Sequence, residues 1–147
     1  KYPSFSDKIY LLGGQSQPGI STDLVQEFNI QSMQTFQADW RLPTVLRAFA
    51  VAQDSPSSVI IAGGICKEEP TRQVYRVRLQ YTKSKEPFFK ALGQDLQTGL
   101  SFECQTLPEM NFPRSHFSLT LRWTSQDFEL FAIGGNQDQL MEVFRSK

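Results

Sequence analysis

The chain has 147 residues, of which 39% are hydrophobic and 20% charged, and its 15 Lys and Arg balance 15 Asp and Glu. This length fits one domain, and the apolar content is sufficient for a packed core, which excludes a disordered chain. A net charge of zero argues against a nucleic-acid binder, because such proteins carry a basic footprint. Two cysteines cannot form a disulfide scaffold, and the longest apolar runs are far too short to span a bilayer.

The amino-terminal end predicts the compartment. Residues 1–7 contain no apolar stretch and no cleavage-site pattern, so we expect no signal peptide. Two cysteines without a secretory signal favour a reducing compartment, and we expect a cytoplasmic protein. The first residue is lysine rather than methionine, which predicts a processed or excised segment of a longer chain.

The strongest pattern is a short apolar run that ends in two glycines and occurs three times. The copies are IYLLGG at residues 9–14, VIIAGG at 59–64 and LFAIGG at 130–135. Their β-branched and aromatic residues predict buried strands. Paired glycines permit a sharp bend and the close approach of another backbone. We therefore predict that each pair ends a strand and that a neighbouring segment passes close to it.

The segments around the glycine pairs repeat as well. A polar loop follows each pair, and a second strand-like segment follows each loop, as in the alternating residues 73–79. Before the second and third copies, Arg47 and Arg114 precede apolar-leaning segments, which we predict to be strands opened by these arginines. A Leu-Pro pair stands ahead of each arginine. The unit therefore contains four short antiparallel strands, which is the anatomy of a propeller blade.

Reading the chain in order gives ten strands in one domain of three units, at about residues 1–45, 46–112 and 113–147. The first unit supplies its second, third and fourth strands, the second unit all four, and the third unit its first three. The second unit carries an insertion, residues 80–100, between its third and fourth strands. Within it, Pro87 near the start and Gly93 at the end predict one or two helical turns.

These motifs resemble the kelch-repeat family, whose unit has Gly-Gly ending the second strand, Tyr on the third strand and Trp on the fourth. An Arg opens the next first strand. The best match is residues 9–47, with Phe28 at the Tyr position and Phe36 at the Trp position. From Gly13 to Gly63 is 50 residues, which matches the kelch period of about 50. The resemblance covers about two and a half to three repeats and implies an all-β segment of four-stranded antiparallel blades in an incomplete ring.

An incomplete ring has consequences for assembly. Propellers close with typically 4–8 blades, and an open arc leaves apolar faces and strand edges in water. We therefore expect either the remainder of a larger propeller or self-association that closes the ring, and we favour the larger propeller.

The resemblance implies a non-catalytic protein-interaction scaffold or a substrate-recognition propeller, such as the receptor part of a ubiquitin ligase. We expect a protein partner on the face that carries the loops after Gly-Gly, with an acidic peptide as one candidate. The residues predicted to bind it are Arg47, Arg114, Gln15, Gln17, Lys67, Asn136 and Gln137, with Phe88 and Phe89 of the insertion as a second contact. An arginine fork suits a carboxylate. The alternative, that the arginines tie neighbouring blades through hydrogen bonds, is equally open.

The sequence contains few candidates for a catalytic or metal site. His116 is the only histidine, and Cys66 and Cys104 stand apart, so the sequence predicts no metal, no cofactor and no catalytic residue. Trp40 and Trp123 are candidates for exposed anchors, although core packing is favoured. A sugar-acid isomerase of the propeller type needs only Arg, Glu and Gln around a channel and stays an alternative. A structural subunit of a larger assembly is a further alternative.

Overall fold

A computed structural model describes residues 8–83, 97–125, 128–135 and 141–145. Over these residues the chain is all-β, in small antiparallel sheets of which none is closed. The strands are β1 (Lys8–Leu12), β2 (Gln15–Gln17), β3 (Ile20–Ser21), β4 (Leu24–Asn29), β5 (Gln34–Arg41), β6 (Ala50–Ser55), β7 (Ser58–Ala62), β8 (Ile65–Cys66), β9 (Glu69–Pro70), β10 (Val74–Lys83), β11 (Gln97–Leu107), β12 (Phe117–Trp123), β13 (Phe128–Gly134) and β14 (Met141–Arg145). No helix in the described ranges has the length and apolar character needed to cross a membrane.

Three sheets hold most of these strands. Sheet 1 has the order β1-β4-β5, sheet 2 the order β6-β7-β10-β11, and sheet 3 the order β12-β13-β14. They contain the ten strands that the sequence predicted, in the predicted order. Two short hairpins, β2–β3 and β8–β9, lie in the loops that follow the first two glycine pairs.

The glycine pairs end strands and admit a neighbouring backbone, as predicted. A Cβ added at Gly63 would stand 2.5 Å from the carbonyl oxygen of Arg114, and Gly63 holds φ +59. Gly64, with φ +97, donates its N–H to that same carbonyl at 2.7 Å. Side chains at these positions would have to displace backbone atoms.

Backbone hydrogen bonds define which residues of the repeats are equivalent. Gly14 donates to the carbonyl of Leu46 at 2.8 Å, just as Gly64 donates to that of Arg114 at 2.7 Å. Leu46 in turn donates to Thr22, and Arg114 to the matching Thr71. Arg114 is therefore the counterpart of Leu46.

This register corrects the sequence alignment by one residue. Since Leu46 matches Arg114, Arg47 is the counterpart of Ser115 and not of Arg114. Neither arginine opens a strand, because β6 begins at Ala50 and β12 at Phe117. His116 also precedes β12, with φ +55, and donates its backbone N–H to Ala48.

Two apolar clusters fill the spaces between adjacent sheets. One lies between sheets 2 and 3, where the innermost strands β6 and β12 make contact, and it includes Ala52, Ile60 and Leu130. The other lies between sheets 1 and 2 and includes Val25, Leu46 and Ile61. Trp40 of β5 stacks on Phe102 of β11 at 4.4 Å in this second space, which agrees with core packing for that tryptophan.

The outward faces of the two terminal sheets are partly apolar and exposed. Ile9 and Leu11 on sheet 1 are each about half exposed, as are Ile133, Met141 and Val143 on sheet 3. Trp123, at the end of β12, is 61% exposed and meets Phe128 edge-on. In an open array of sheets the outer face of each terminal sheet has no neighbouring sheet to cover its apolar residues.

The insertion begins as a continuation of sheet 2. The pairing of β10 with β11 extends to Lys83 opposite Gln97, so residues 80–83 and 97–100 are strand. The predicted helical turns, together with Phe88 and Phe89, lie outside the described residues.

Candidate functional site

The two hairpins are attached to opposite sides of one backbone segment. Leu46 accepts a hydrogen bond from Gly14, at the base of β2–β3. The next residue, Arg47, exchanges two backbone hydrogen bonds with Ile65, at the base of β8–β9, at 2.7 and 3.2 Å. Both hairpins therefore project side by side. We call the surface formed by residues 15–21, residues 65–70 and Arg47 the hairpin face.

The first hairpin contributes uncharged polar side chains. Gln15 and Gln17 lie on β2, every residue of which is exposed. Ile20 on the opposite strand is 53% exposed. Gln15 and Gln17, two of the predicted binding residues, are therefore available at the surface.

The tip of the second hairpin has an unusual backbone. Cys66 pairs with Glu69, so the turn contains only Lys67 and Glu68, and both have positive φ, +49 and +69. Two-residue hairpin turns of this kind normally carry Asn and Gly, because other residues are strained there. Lys67, a third predicted binding residue, is exposed at this tip.

An ion pair links this tip to the segment between the hairpins. Arg47 Nη2 donates to Glu68 Oε2 at 2.7 Å, and the Arg47 side chain is 20% exposed while that of Glu68 is 65% exposed. The guanidinium therefore lies at the hairpin face with an acidic partner from its own chain. A ligand carboxylate would compete with Glu68 for it.

Arg114 does not lie on this surface. Its side chain is fully buried, where it faces Glu142 of β14, with 3.5 Å between Nε and Oε2, and donates from Nη1 to the Gly134 carbonyl at 2.7 Å. The other Glu142 oxygen accepts the backbone N–H of Asn111. A side chain with no exposed surface presents nothing to a partner, so its contacts are those of the alternative, a structural tie.

The remaining predicted site residues fall outside the description. Asn136 and Gln137 of the third loop, like Phe88 and Phe89 of the insertion, are not among the described residues.

Both thiols pack against the apolar cluster between sheets 1 and 2. Cys66 Sγ lies 3.4 Å from Thr44 Oγ1, while burial raises the pKa of Cys104 above its ordinary value. Burial also raises the pKa of Tyr75, helped by the nearby thiols and Glu109, and the Tyr75 hydroxyl donates to Gln73 at 2.6 Å. Over the residues that the structure describes, no group of three His, Cys, Asp or Glu side chains is placed to hold a metal ion.

Sequence reasoning missed the two acidic partners of the arginines. Glu68 follows Lys67 in a mixed-charge loop, where nothing in the local sequence signals an ion pair with a residue of a different segment. Glu142 stands between two apolar residues of a strand, and strict alternation would place it in solvent. Only the structure reveals that it is buried.

No protein-family model matches this chain, and no curated protein matches it either.

Proposed function

We propose that this chain is an arc of a kelch-like propeller and acts as a non-catalytic scaffold that binds a protein partner on its hairpin face. The observation that carries the proposal is the attachment of two exposed polar hairpins to one hydrogen-bonded segment, residues 46–47. Loops held by a rigid set of strands are the usual place for recognition. Repeated blades set several such loops beside one another on a single face.

Backbone strain at the tip supports the same surface. Lys67 and Glu68 both have positive φ, a conformation that costs a residue other than glycine about 1–2 kcal/mol. Strain of this kind concentrates at ligand-binding positions. Glu68 of this turn also forms the ion pair with Arg47.

A peptide selection tests the proposal with a matched control. Peptides selected from a random twelve-residue library on the wild-type chain should lose at least about tenfold in affinity for the double variant Gln15→Ala, Gln17→Ala, which is about 1.4 kcal/mol. The control is Gln34→Ala, Gln37→Ala, which removes two exposed glutamines from β5, away from the hairpins. Equal losses in both variants, or none in the first, would contradict the assignment of the hairpin face.

The preference for an acidic partner needs a separate test, since Arg114 is buried and Arg47 already faces Glu68. We expect an acidic twelve-residue peptide to bind Glu68→Gln more tightly than wild type, because Arg47 is then released from its competitor. Arg47→Ala should remove that gain. If Glu68→Gln leaves the affinity unchanged, Arg47 is not the anchor and the partner is recognised by uncharged groups.

A further inference from the structure

Strand β11 forms a long outer edge of sheet 2. It runs from Gln97 to Leu107 and, among the described residues, pairs only with β10. The pairing is regular from Gly99 to Leu107, because its one irregularity lies between Thr82 and Lys83. A long, regular edge presents a row of unpaired backbone groups, which is a template for another strand.

The backbone hydrogen bonds of β10 show which of its residues bond to β11. Gln73 accepts the N–H of Gly63 at 2.9 Å, and Leu79 donates to Ser57 at 2.8 Å, both on the side of β7. Along an antiparallel strand, successive residues direct their N–H and C=O groups to opposite sides. The odd-numbered residues of β10 therefore bond to β7, and the even-numbered residues bond to β11.

The register of this pair then shows which groups of β11 point away from the sheet. Even-numbered residues of β10 lie opposite odd-numbered residues of β11, as Arg76 lies opposite Gln105. The odd-numbered residues of β11 therefore bond inward, and the residues between them direct their N–H and C=O groups outward. These outward residues are Phe102, Cys104 and Thr106. No described residue forms a backbone hydrogen bond with them on that side.

The outer edge of sheet 1 is interrupted, whereas that of sheet 2 is not. The pairing of β5 with β4 shifts register between Leu24 and Gln26, and β5 carries the exposed charges of Asp39 and Arg41. Bulges and charges of this kind keep edge strands from pairing with other chains. Residues 102–107 of β11 contain no irregularity, and Glu103 is their only charged residue. Strand β11 is therefore the less protected edge.

We propose that β11 pairs antiparallel with β11 of a second copy of this chain, around a two-fold axis at Cys104. Phe102 then lies opposite Thr106 of the second copy, and Cys104 lies opposite its own counterpart. Each opposed pair of outward residues exchanges two backbone hydrogen bonds. The same patch serves both copies, and the two sheets join into one continuous sheet. The contact uses the edge of sheet 2, not the faces through which neighbouring sheets pack, and it is separate from the hairpin face.

The position of Glu103 favours this register over its neighbours. With the axis at Cys104, Glu103 lies opposite the uncharged Gln105 of the second copy, in the type of pair where side chains are closest. An axis at Glu103 would set two carboxylates opposite each other. An axis at Gln105 would place Phe102 opposite Pro108, which has no N–H to donate.

An axis at Phe102 would move the pairing into residues 97–101. There β11 continues beyond the end of β7 as a two-stranded ribbon with β10. Such ribbons twist more strongly than larger sheets, so the two edges would diverge. The axis at Cys104 therefore uses all three outward residues that lie within the wider part of the sheet.

Sedimentation equilibrium with a pair of proline variants tests the proposal. The wild-type chain should form a dimer. Thr106→Pro removes an outward N–H but no bond between β11 and β10, so it should raise the dimer dissociation constant at least about tenfold. The matched control is Thr35→Pro, the same substitution at an exposed threonine of β5 whose N–H also points outward, and it should leave the dissociation constant unchanged.

Two substitutions of Gln105 test the register without a change to the backbone. Gln105→Lys places a cation opposite Glu103 of the second copy and should tighten the dimer. Gln105→Glu places a carboxylate opposite Glu103 and should weaken it. Both effects should shrink in about 1 M sodium chloride, because salt screens exposed charges.

Cross-linking reports where the axis lies. In a Cys66→Ser background Cys104 provides the only thiol. Opposed residues of a hydrogen-bonded pair have Cα atoms about 5.5 Å apart, which a disulfide can span. Diamide should therefore join two copies through Cys104, as the two thiols give up two protons and two electrons to the diamide.

Several outcomes would overturn the proposal. They are a wild-type chain that stays monomeric at its highest soluble concentration, equal effects of Thr106→Pro and Thr35→Pro, shifts in the same direction for the two Gln105 variants, and a dimer that diamide does not link. The Gln15→Ala, Gln17→Ala variant should dimerise like wild type, so failure here is distinguishable from failure of the hairpin face.

Discussion

Alanine at Gly64 and alanine at Gly14 should have different costs although the two glycines share one backbone conformation. Their φ angles are +97 and +100, and each donates its N–H to an equivalent carbonyl, at 2.7 and 2.8 Å. A non-glycine residue in such a conformation costs about 1–3 kcal/mol, and both variants bear this cost. The gain from a stiffer unfolded chain is the same for both.

The difference between the two variants comes from the space around the new methyl group. At Gly64 the Cβ meets the Arg47 carbonyl at 2.7 Å and Phe49 Cβ at 2.8 Å, atoms that cannot rotate away. Overpacking of this kind costs about 1–3 kcal/mol. At Gly14 no described atom lies within 4 Å. Gly64→Ala should therefore lose at least about 1 kcal/mol more stability than Gly14→Ala.

Urea unfolding followed by tryptophan fluorescence measures this difference, provided that the slope of the transition is unchanged between the variants. Gly63→Ala, with its Cβ 2.5 Å from the Arg114 carbonyl, should behave like Gly64→Ala. Equal losses for Gly14 and Gly64, within about 0.5 kcal/mol, would refute the reasoning, because the close approach of the segment leading into β6 would then contribute nothing.

Three further predictions concern the buried charges, the half-buried thiol of Cys104 and the strained turn. Arg114→Ala should reduce the free energy of unfolding by about 3–5 kcal/mol because it leaves Glu142 buried without its cation. The double variant Arg114→Leu, Glu142→Leu should cost much less stability, since Leu46 occupies the position equivalent to Arg114 in the preceding repeat. Equal urea midpoints for the two variants would contradict this prediction. Burial raises the pKa of the Cys104 thiol, so the folded state holds the thiol proton more tightly than the unfolded chain; the resulting stabilisation is complete below the ordinary pKa of 9.0 and is lost as the pH rises through the folded-state pKa. Cys104→Ala should therefore flatten the fall of the urea midpoint between about pH 8 and pH 11. An unchanged pH dependence of the midpoint would show that Cys104 does not contribute. Lys67→Gly should raise the melting temperature, since relief of positive φ gains up to about 1 kcal/mol, and a lower melting temperature would show that the turn is not strained.

The strands could be predicted because their signals are local. Apolar runs that end in paired glycines require only neighbouring residues to specify a strand and its end, and β1, β7 and β13 lie where these runs predicted. Polar loops between strand-like segments likewise indicated where the hairpin face projects. The exposure of Gln15, Gln17 and Lys67 agrees with the sequence because polar residues in such loops are ordinarily exposed.

Contacts between segments decided the rest. Local sequence makes Arg47 and Arg114 look alike, yet the backbone hydrogen bonds between sheets make Arg114 the counterpart of Leu46, and the Arg114 side chain is buried. Its partner Glu142 is buried while Met141 and Val143 beside it are exposed, the reverse of what alternating hydrophobicity predicts.

The physical reason is the same in both cases. Hydrophobic patterning reports which face of a strand is apolar, but burial depends on whether another sheet covers that face. On β14 the apolar Met141 and Val143 lie on the uncovered face of sheet 3, while Glu142 lies on the face that meets Arg114. The sequence by itself therefore determined the strands, their order and the polar loops. The tertiary structure decided which arginine reaches the surface and which face of β14 is covered, because both depend on packing between segments far apart in the chain.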